Sequence, residues 1–365
     1  MADKKTKKSE ILRRLLNLII LLFAFSIVFI PAFLGAVMYF NAPVSPGNMR
    51  NIQAQTEGIK KGDGGEYFIE VYAGESAQSV GNRLERAGLI RNRHFWYLIC
   101  RLGNEHLKTG TYQLEIPANQ FAIYRLLVSG RQLMYRVTIP EGATLRKTAA
   151  ILEENGVCSA EEFLAASKDP SILSRYRIPN STIEGYLFPD TYLFPKEYPA
   201  DRVIKAMADT FSNRLELLDP SVVNLSRNEI NEKVVIASIV EREYRISEEA
   251  PLMAGVFYNR LKIGMALQSC ATVEYIITEI QGRPHPSVLY NRDLEIRSPY
   301  NTYLVPGLPP GPISAPGTVA LRAAFSPVQT EFLYFRLDDP QSGRHYFSKT
   351  LDEHIRAGQY ILKNQ

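Results

Sequence analysis

Apolar residues fall into several distinct patterns along this chain, and each predicts a different element. The first is unbroken: Leu15 to Phe40 runs 26 residues without a charged side chain. As a helix it would reach about 39 Å, enough to cross a hydrocarbon core of ~30 Å with some tilt. Pro31 would kink that helix, which a membrane span tolerates. The second pattern is a repeat. Tyr67, Val71, Gly74, Val80, Leu84, Gly88 and Leu89 recur 68 positions later as Tyr135, Ile139, Gly142, Thr148, Leu152, Gly156 and Val157, and Phe95 recurs as Phe163. Each copy reads as a short alternating strand, a glycine turn, an amphipathic helix and a glycine that stops it. The third is Val234 to Val240, seven apolar or small residues that run into Glu241, with Glu243 two positions on. The last interleaves apolar side chains with proline and glycine, in Glu184–Pro195 and Gly307–Ile313, and predicts rigid, non-repetitive loops. Residues 41–63, with Pro43, Pro46, Gly47, Gly58 and Gly62, show no periodic apolar face and read as a tether.

Charge sets the topology. Residues 1–14 hold six basic side chains and two acids, and the remainder carries 36 of each sign. The net charge of +4 therefore sits entirely ahead of the apolar run. Basic flanks stay in the cytoplasm, so residues 41–365 belong outside it. A cleaved signal peptide would have a shorter apolar region closed by a small-x-small site. Here Met38, Tyr39 and Phe40 close a longer one, which favours an uncleaved anchor. The neutral remainder excludes a nucleic-acid partner. Cys100, Cys158 and Cys270 are odd in number and widely spaced, and are expected as buried free thiols. No Cys/His metal spacing, HExxH or GxSxG motif occurs among them or the five histidines, which argues against metal-dependent or serine hydrolases.

Candidate chemistry centres on Glu241. Val234, Ala237, Ser238 and Glu241 share one helical face, so the acid continues an inward-facing stripe. Burial disfavours the charged carboxylate and lets it stay protonated near neutral pH, as glycosidase acids do. The same pattern also fits a core helix whose terminal acid pairs with Lys233, Arg242 or Arg245. Aromatic residues beside Glu184, Tyr186 among them, suit the apolar face of a sugar ring, and equally suit a core corner. Gln268, Tyr300, Asn301 and Thr302 could hold sugar hydroxyl or acetamido groups, or simply brace their own loops.

A strand–helix unit of the repeated kind resembles the LysM-type modules that bind amino-sugar polymers, although a spacer would read the same. More specifically, Glu184–Tyr192, Ala237–Glu243, Gly255–Gln268, Ser298–Pro312 and Phe347–His354 resemble the YceG-like (MltG) endolytic peptidoglycan transglycosylases. Two departures stand out: Ser269-Cys270-Ala271-Thr272 where the family has Ser/Thr-Asp-Pro-Thr, and Tyr244 where it has Thr. The resemblance implies an α+β protein with one transmembrane helix, a LysM-like βα repeat region and an α+β catalytic domain. The corresponding segments are a cytoplasmic tail (1–14), a span (15–40), a linker (41–63), the repeat region (64–179) and the catalytic domain (180–365). It further implies Glu241 as catalytic acid and base, with Glu243 orienting or structural. Glu184, Tyr186, Glu243, Gln268, Tyr300, Asn301 and Thr302 are then substrate-binding candidates. No metal or other cofactor is implied. The partners would be peptidoglycan strands, the cytoplasmic membrane and wall synthases. A glycan-binding scaffold without catalysis is the other class of function open to such a chain.

Overall fold

The computed structural model describes residues 2–44, 57–61 and 65–363. The expected linker lies largely outside them, and its described end, Ile59–Lys61, forms a strand. The chain divides into two compact units, Met1–Leu133 and Met134–Gln365.

In the first unit, helix α1 (Ala2–Asn41) runs through Pro31 as one element. Its Ile20–Asn41 portion is long and apolar enough to cross a membrane. The unit then builds β1 (Ile59–Lys61), β2 (Tyr67–Val71), α2 (Ala77–Arg86), α3 (Arg93–Gly103), β3 (Gly110–Leu114) and α4 (Gln120–Ser129). The strands form an antiparallel sheet with β2 central, Tyr67 opposite Leu114 and Ile69 opposite Tyr112. Alternate residues Tyr67, Ile69 and Val71 are buried against Val80, Leu84 and Trp96, as the period of a half-buried strand requires.

The second unit opens with the second copy of the repeat. Strand β4 (Tyr135–Thr138) leads to α5 (Leu145–Glu154), α6 (Ala160–Ala166), α7 (Pro170–Arg175) and β5 (Thr191–Phe194), which pairs antiparallel with β4. The copies agree in detail. Ser76 and Thr144, 68 residues apart, each cap the following helix by accepting from the amide three residues on. Each helix then ends in a six-to-one backbone bond, Leu89 N to Leu84 O and Val157 N to Leu152 O, both 2.9 Å.

Beyond the repeat come α8 (Ala200–Leu218), α9 (Arg227–Glu243), α10 (Ala250–Lys262) and α11 (Cys270–Tyr275), which continues into a π turn at Ile276–Ile280. A short α12 (Asn291–Leu294), α13 (Thr318–Phe325), the hairpin β6 (Tyr334–Asp339) and β7 (Arg344–Ser348), and α14 (Leu351–Lys363) complete the unit.

One core joins the second copy to these helices: Val137, Ile139, Leu152 and Phe163 belong to the same apolar cluster as Val234–Val240 and Phe325. The compact division therefore falls after Leu133, not near residue 180. A second βα copy sharing the α9 core cannot separate from it without exposing that core. The three cysteines are free, with Cys100 and Cys158 half-buried, and Cys270 exposed where burial was expected.

Candidate active site at the end of helix α9

Helix α9 begins with a reciprocal cap. Ser226 Oγ accepts from Glu229 N (3.3 Å) while the Glu229 carboxylate accepts from Ser226 N (2.8 Å). All seven residues from Val234 to Val240 are buried, so this stretch is a core helix on every side. The first side chain to leave that environment is Glu241, which is half-buried.

Two loops close around it. Ser238 Oγ donates to Val235 O (2.7 Å) and accepts from Ile313 N (3.0 Å), while Ser314 Oγ donates to Ser238 O (3.0 Å). These bonds lay the proline-rich loop along α9, with residues 311–317 all buried. The same loop exchanges backbone bonds with the turn between β4 and α5: Gly142 N to Ala315 O at 2.9 Å and Ala315 N to Ala143 O at 2.8 Å. The result is a backbone amide, Gly317 N, donating to Glu241 Oε2 at 2.9 Å. The Glu141 carboxylate packs directly against Gly317, where an added Cβ would displace it. On the other side Gly142, at φ +70°, passes close to Glu241: a Cβ there would sit 3.8 Å from Glu241 Cγ and 3.4 Å from Arg242 Cδ.

Burial pushes the Glu241 carboxyl up to about 7. The Gly317 amide opposes that rise, the Glu141 carboxylate adds to it, and the Tyr244 hydroxyl and Arg242 pull the other way. The negative end of α9 also disfavours a second negative charge at its last turn. The simple ion-pair arrangement is absent among the described residues: Arg242 pairs instead with Glu274 at 2.9 Å.

The other sequence candidates fall into different surroundings. Glu184 lies beneath the β4–α5 turn, fully enclosed, with both carboxyl oxygens 3.1 Å from Leu145 N at the first turn of α5. Burial raises its pKa to about 8 against the Leu145 amide, with the Glu279 charge adding to the rise. Tyr275 hydrogen-bonds to it, and the Tyr275 ring packs 5.1 Å from that of Tyr300. Glu243 accepts from Ser269 Oγ at 2.5 Å, and its pKa is raised chiefly by burial. It lines a cavity of about 530 Å³ together with Gln268. Gln268 holds a left-handed backbone, φ +49°, through its amide bond to Thr302 O at 3.0 Å, and its side chain is exposed.

Asn301 and Thr302 have their polar groups committed to the fold. Asn301 Nδ2 donates to Leu294 O and Ile296 O, and its Oδ1 accepts from Tyr303 N. Thr302 Oγ1 meets Ser269 N and Thr272 Oγ1. Asn301 braces its own 294–303 segment and Thr302 braces the Gln268–Ser269 turn, so the side-chain polar groups of both are taken up. Tyr186 is buried against Phe211, and its hydroxyl donates to Asn231 Oδ1 at 2.9 Å. Asn231 precedes Glu241 by ten residues on α9, about 15 Å of helix, so Tyr186 is not brought to the acid.

With this geometry in view, the sequence profile of the YceG-like family matches residues 69–359. The chain belongs to the YceG-like family. A Bacillus subtilis (strain 168) endolytic murein transglycosylase is 31% identical over 314 residues, covering 81% of this chain and 85% of the relative. A Streptococcus pneumoniae R6 protein of the same name is 28% identical over 361 residues. That alignment takes in 90% of this chain and 64% of the pneumococcal protein. The 2.6 Å crystal structure of a yceG-like protein from Listeria monocytogenes superposes with a TM-score of 0.53 at 30% identity, covering 80% of this chain and 98% of that one.

In this YceG-like protein the arrangement suits proton transfer at Glu241: a carboxyl that titrates at about 7, oriented by one amide, with a second carboxylate beside it. Glu141 and the Gly317 amide are the parts that sequence reasoning missed. The available signal was Gly142, already marked by the repeat, with an acid immediately before it. Among the described residues no group of three or more His, Cys, Asp or Glu side chains is placed to hold a metal ion.

Proposed function

We propose that this chain is an endolytic murein transglycosylase, held by α1 in the bacterial cytoplasmic membrane with the remainder outside the cytoplasm. The observation that carries the reading is Glu241, a carboxyl pushed up to about 7 at the closed end of α9, in a family whose curated relatives are named for that activity. Protonated Glu241 gives its proton to the oxygen linking N-acetylmuramic acid to N-acetylglucosamine. The C–O bond breaks, its electron pair stays on the leaving oxygen, and positive charge develops on the muramoyl ring. The ionised carboxylate then takes the proton of the muramoyl 6-hydroxyl as that oxygen bonds to the anomeric carbon. The product carries a 1,6-anhydro end, no water is consumed, and the acid is restored.

Glu141 serves this cycle by favouring the neutral acid beforehand and the ring cation afterwards. Gln268 and Tyr300 are the candidates that keep side-chain groups for a sugar. The first-unit repeat, with its strand–helix–helix–strand order, supports a LysM-like grip on the glycan. Anchoring would place cleavage beside the synthases that extend strands at the membrane. The charge asymmetry about Leu15–Phe40 supports that orientation.

The test is Glu241→Gln on purified murein strands. A positioned acid–base group is worth roughly 10²–10⁴-fold, so turnover should fall at least that far while thermal unfolding barely changes. Wild-type digestion in ¹⁸O-water should give unlabelled anhydromuramoyl ends. Labelled reducing ends would mean hydrolysis, and an active Glu241→Gln protein would return the chain to a glycan-binding scaffold.

A further inference from the structure

The cavity of about 530 Å³ beside Glu243 has an electrostatic character that a sugar subsite does not require. Its size falls in the range of small-ligand sites. Arg242, Arg245, Arg260 and Arg336 line it, and Glu243 is the sole carboxyl among its lining residues. Among the described residues Glu243 forms no ion pair and accepts from Ser269 Oγ; burial raises its pKa, while the Ser269 bond, His345 and Arg242 oppose the rise.

Only Arg242 is matched, through Glu274. Among the described residues, Arg245, Arg260 and Arg336 form no ion pair. Arg260 is held in place by neutral carbonyls, Nε to Leu333 O and Nη1 to Leu267 O, each 2.6 Å, and its guanidinium lies 5.2 Å from the Tyr334 ring centre. That fixes its direction without cancelling its charge. Nearby, Arg336 Nε and His354 Nδ1 are buried and have no hydrogen-bond partner. His354 Nδ1 donates or accepts according to its tautomer, whereas Arg336 Nε is always a donor. A buried donor without an acceptor is rare in folded proteins and points to a group that arrives from outside. Fixed planar guanidiniums with spare N–H groups match carboxylates best, in paired bonds.

The cavity adjoins the Glu241 site through one residue. Arg242 lines the cavity, and its Nη1 donates to Gly142 O at 3.5 Å, in the turn that flanks Glu241. A ligand spanning both would place its reacting bond at Glu241 and an anionic branch around the end of α9. A murein strand has such a branch, since the lactyl group of each muramoyl residue bears a peptide with free carboxylates.

We propose that this arginine-lined cavity binds a carboxylate of the muramoyl peptide, so that the protein reads peptide-bearing strands in preference to bare glycan. The proposal rests on the murein reading of the Glu241 site.

The test measures binding without turnover, using full-length Glu241→Gln protein in detergent and calorimetry. Two ligands are compared: a soluble murein fragment of several disaccharide-peptides, and the same fragment with its peptide carboxylates converted to amides. The free-carboxylate form should bind about tenfold tighter or more, as expected for a charge-assisted hydrogen bond to enclosed guanidinium groups. Added Arg336→Gln should erase most of that difference, and raised salt should shrink it. Arg245→Gln, at an exposed position, should reduce it in a variant that folds even if Arg336→Gln does not. Equal affinity for the two ligands would overturn the cavity assignment while leaving the murein reading intact. Retention of the full difference in both arginine variants would also overturn it. If neither ligand bound, the murein reading would fail and this proposal with it.

Discussion

The two βα copies share their strand, their capped helix and their terminal glycine, yet their turns do opposite things with an acid. In the first copy the acid follows the turn glycine. Glu75 meets Arg83 at 2.5 Å, and both side chains are nearly enclosed. Ser79 and the Tyr72 amide complete its hydrogen bonds. In the second copy the acid precedes the glycine, and the position equivalent to Arg83 is Ile151. No ion pair holds Glu141 among the described residues, and its carboxylate lies against Gly317, whose amide serves Glu241. One scaffold thus yields a neutralised turn and a charged one beside the candidate acid. The difference lies in a single acid shifted across a glycine and one arginine replaced by isoleucine.

Breaking the neutralised turn should have the largest effect. Arg83→Ala leaves Glu75 enclosed without its partner and frees the carbonyls of Glu57 and Glu70 that Arg83 also binds. Losing one member of a buried pair costs about 3–5 kcal/mol. The chain's single tryptophan, Trp96, is fully buried in the first unit and reports this in urea unfolding. A loss below about 1 kcal/mol would mean that the pair does not hold the turn.

Alanine at the two turn glycines sharpens the contrast. Both glycines hold positive φ, +74° at Gly74 and +70° at Gly142, so each variant should lose about 1–2 kcal/mol from backbone strain. Nothing lies within 4 Å of a Cβ at Gly74, whereas at Gly142 it would come into van der Waals contact with Arg242 and Glu241. Strand cleavage should therefore drop several-fold in Gly142→Ala and hold in Gly74→Ala. Equal rates would detach the second turn from the chemistry.

The smallest effect concerns pH. Cleavage that needs protonated Glu241 is lost as pH rises through about 7. Glu141→Gln removes a like charge that raises this value, so the alkaline limb should move to lower pH, by less than about one unit. An unmoved limb would strike Glu141 from the account.

Local patterns made much of this legible in the sequence. The repeat appears as expected, and Val234–Val240 is buried as a run ending in an acid should be. Gly307–Ile313 is irregular, as its prolines require. What stayed hidden depends on contacts between distant segments. The bonds joining Ala143 to Ala315 are backbone to backbone and leave no side-chain signature. Asn301 and Thr302 looked free because sequence does not show which carbonyls and hydroxyls will take up their polar groups. The arginine-lined cavity draws on residues 242, 245, 260 and 336, whose spacing carries no pattern. The break after Leu133 was equally invisible, because the second copy looks like the first until its inner face is seen packed on α9.

The Gly317 amide has a stereochemical consequence for Glu241. A backbone N–H gives a hydrogen bond but cannot receive one, so while it occupies Oε2 the proton of the neutral acid is favoured on Oε1. The two oxygens are thereby made inequivalent before any ligand arrives. In the proposed cycle Oε1 is the oxygen that faces the bond being broken. The side from which this carboxyl is approached is thus set by a backbone donor in the 311–317 loop, outside α9 itself.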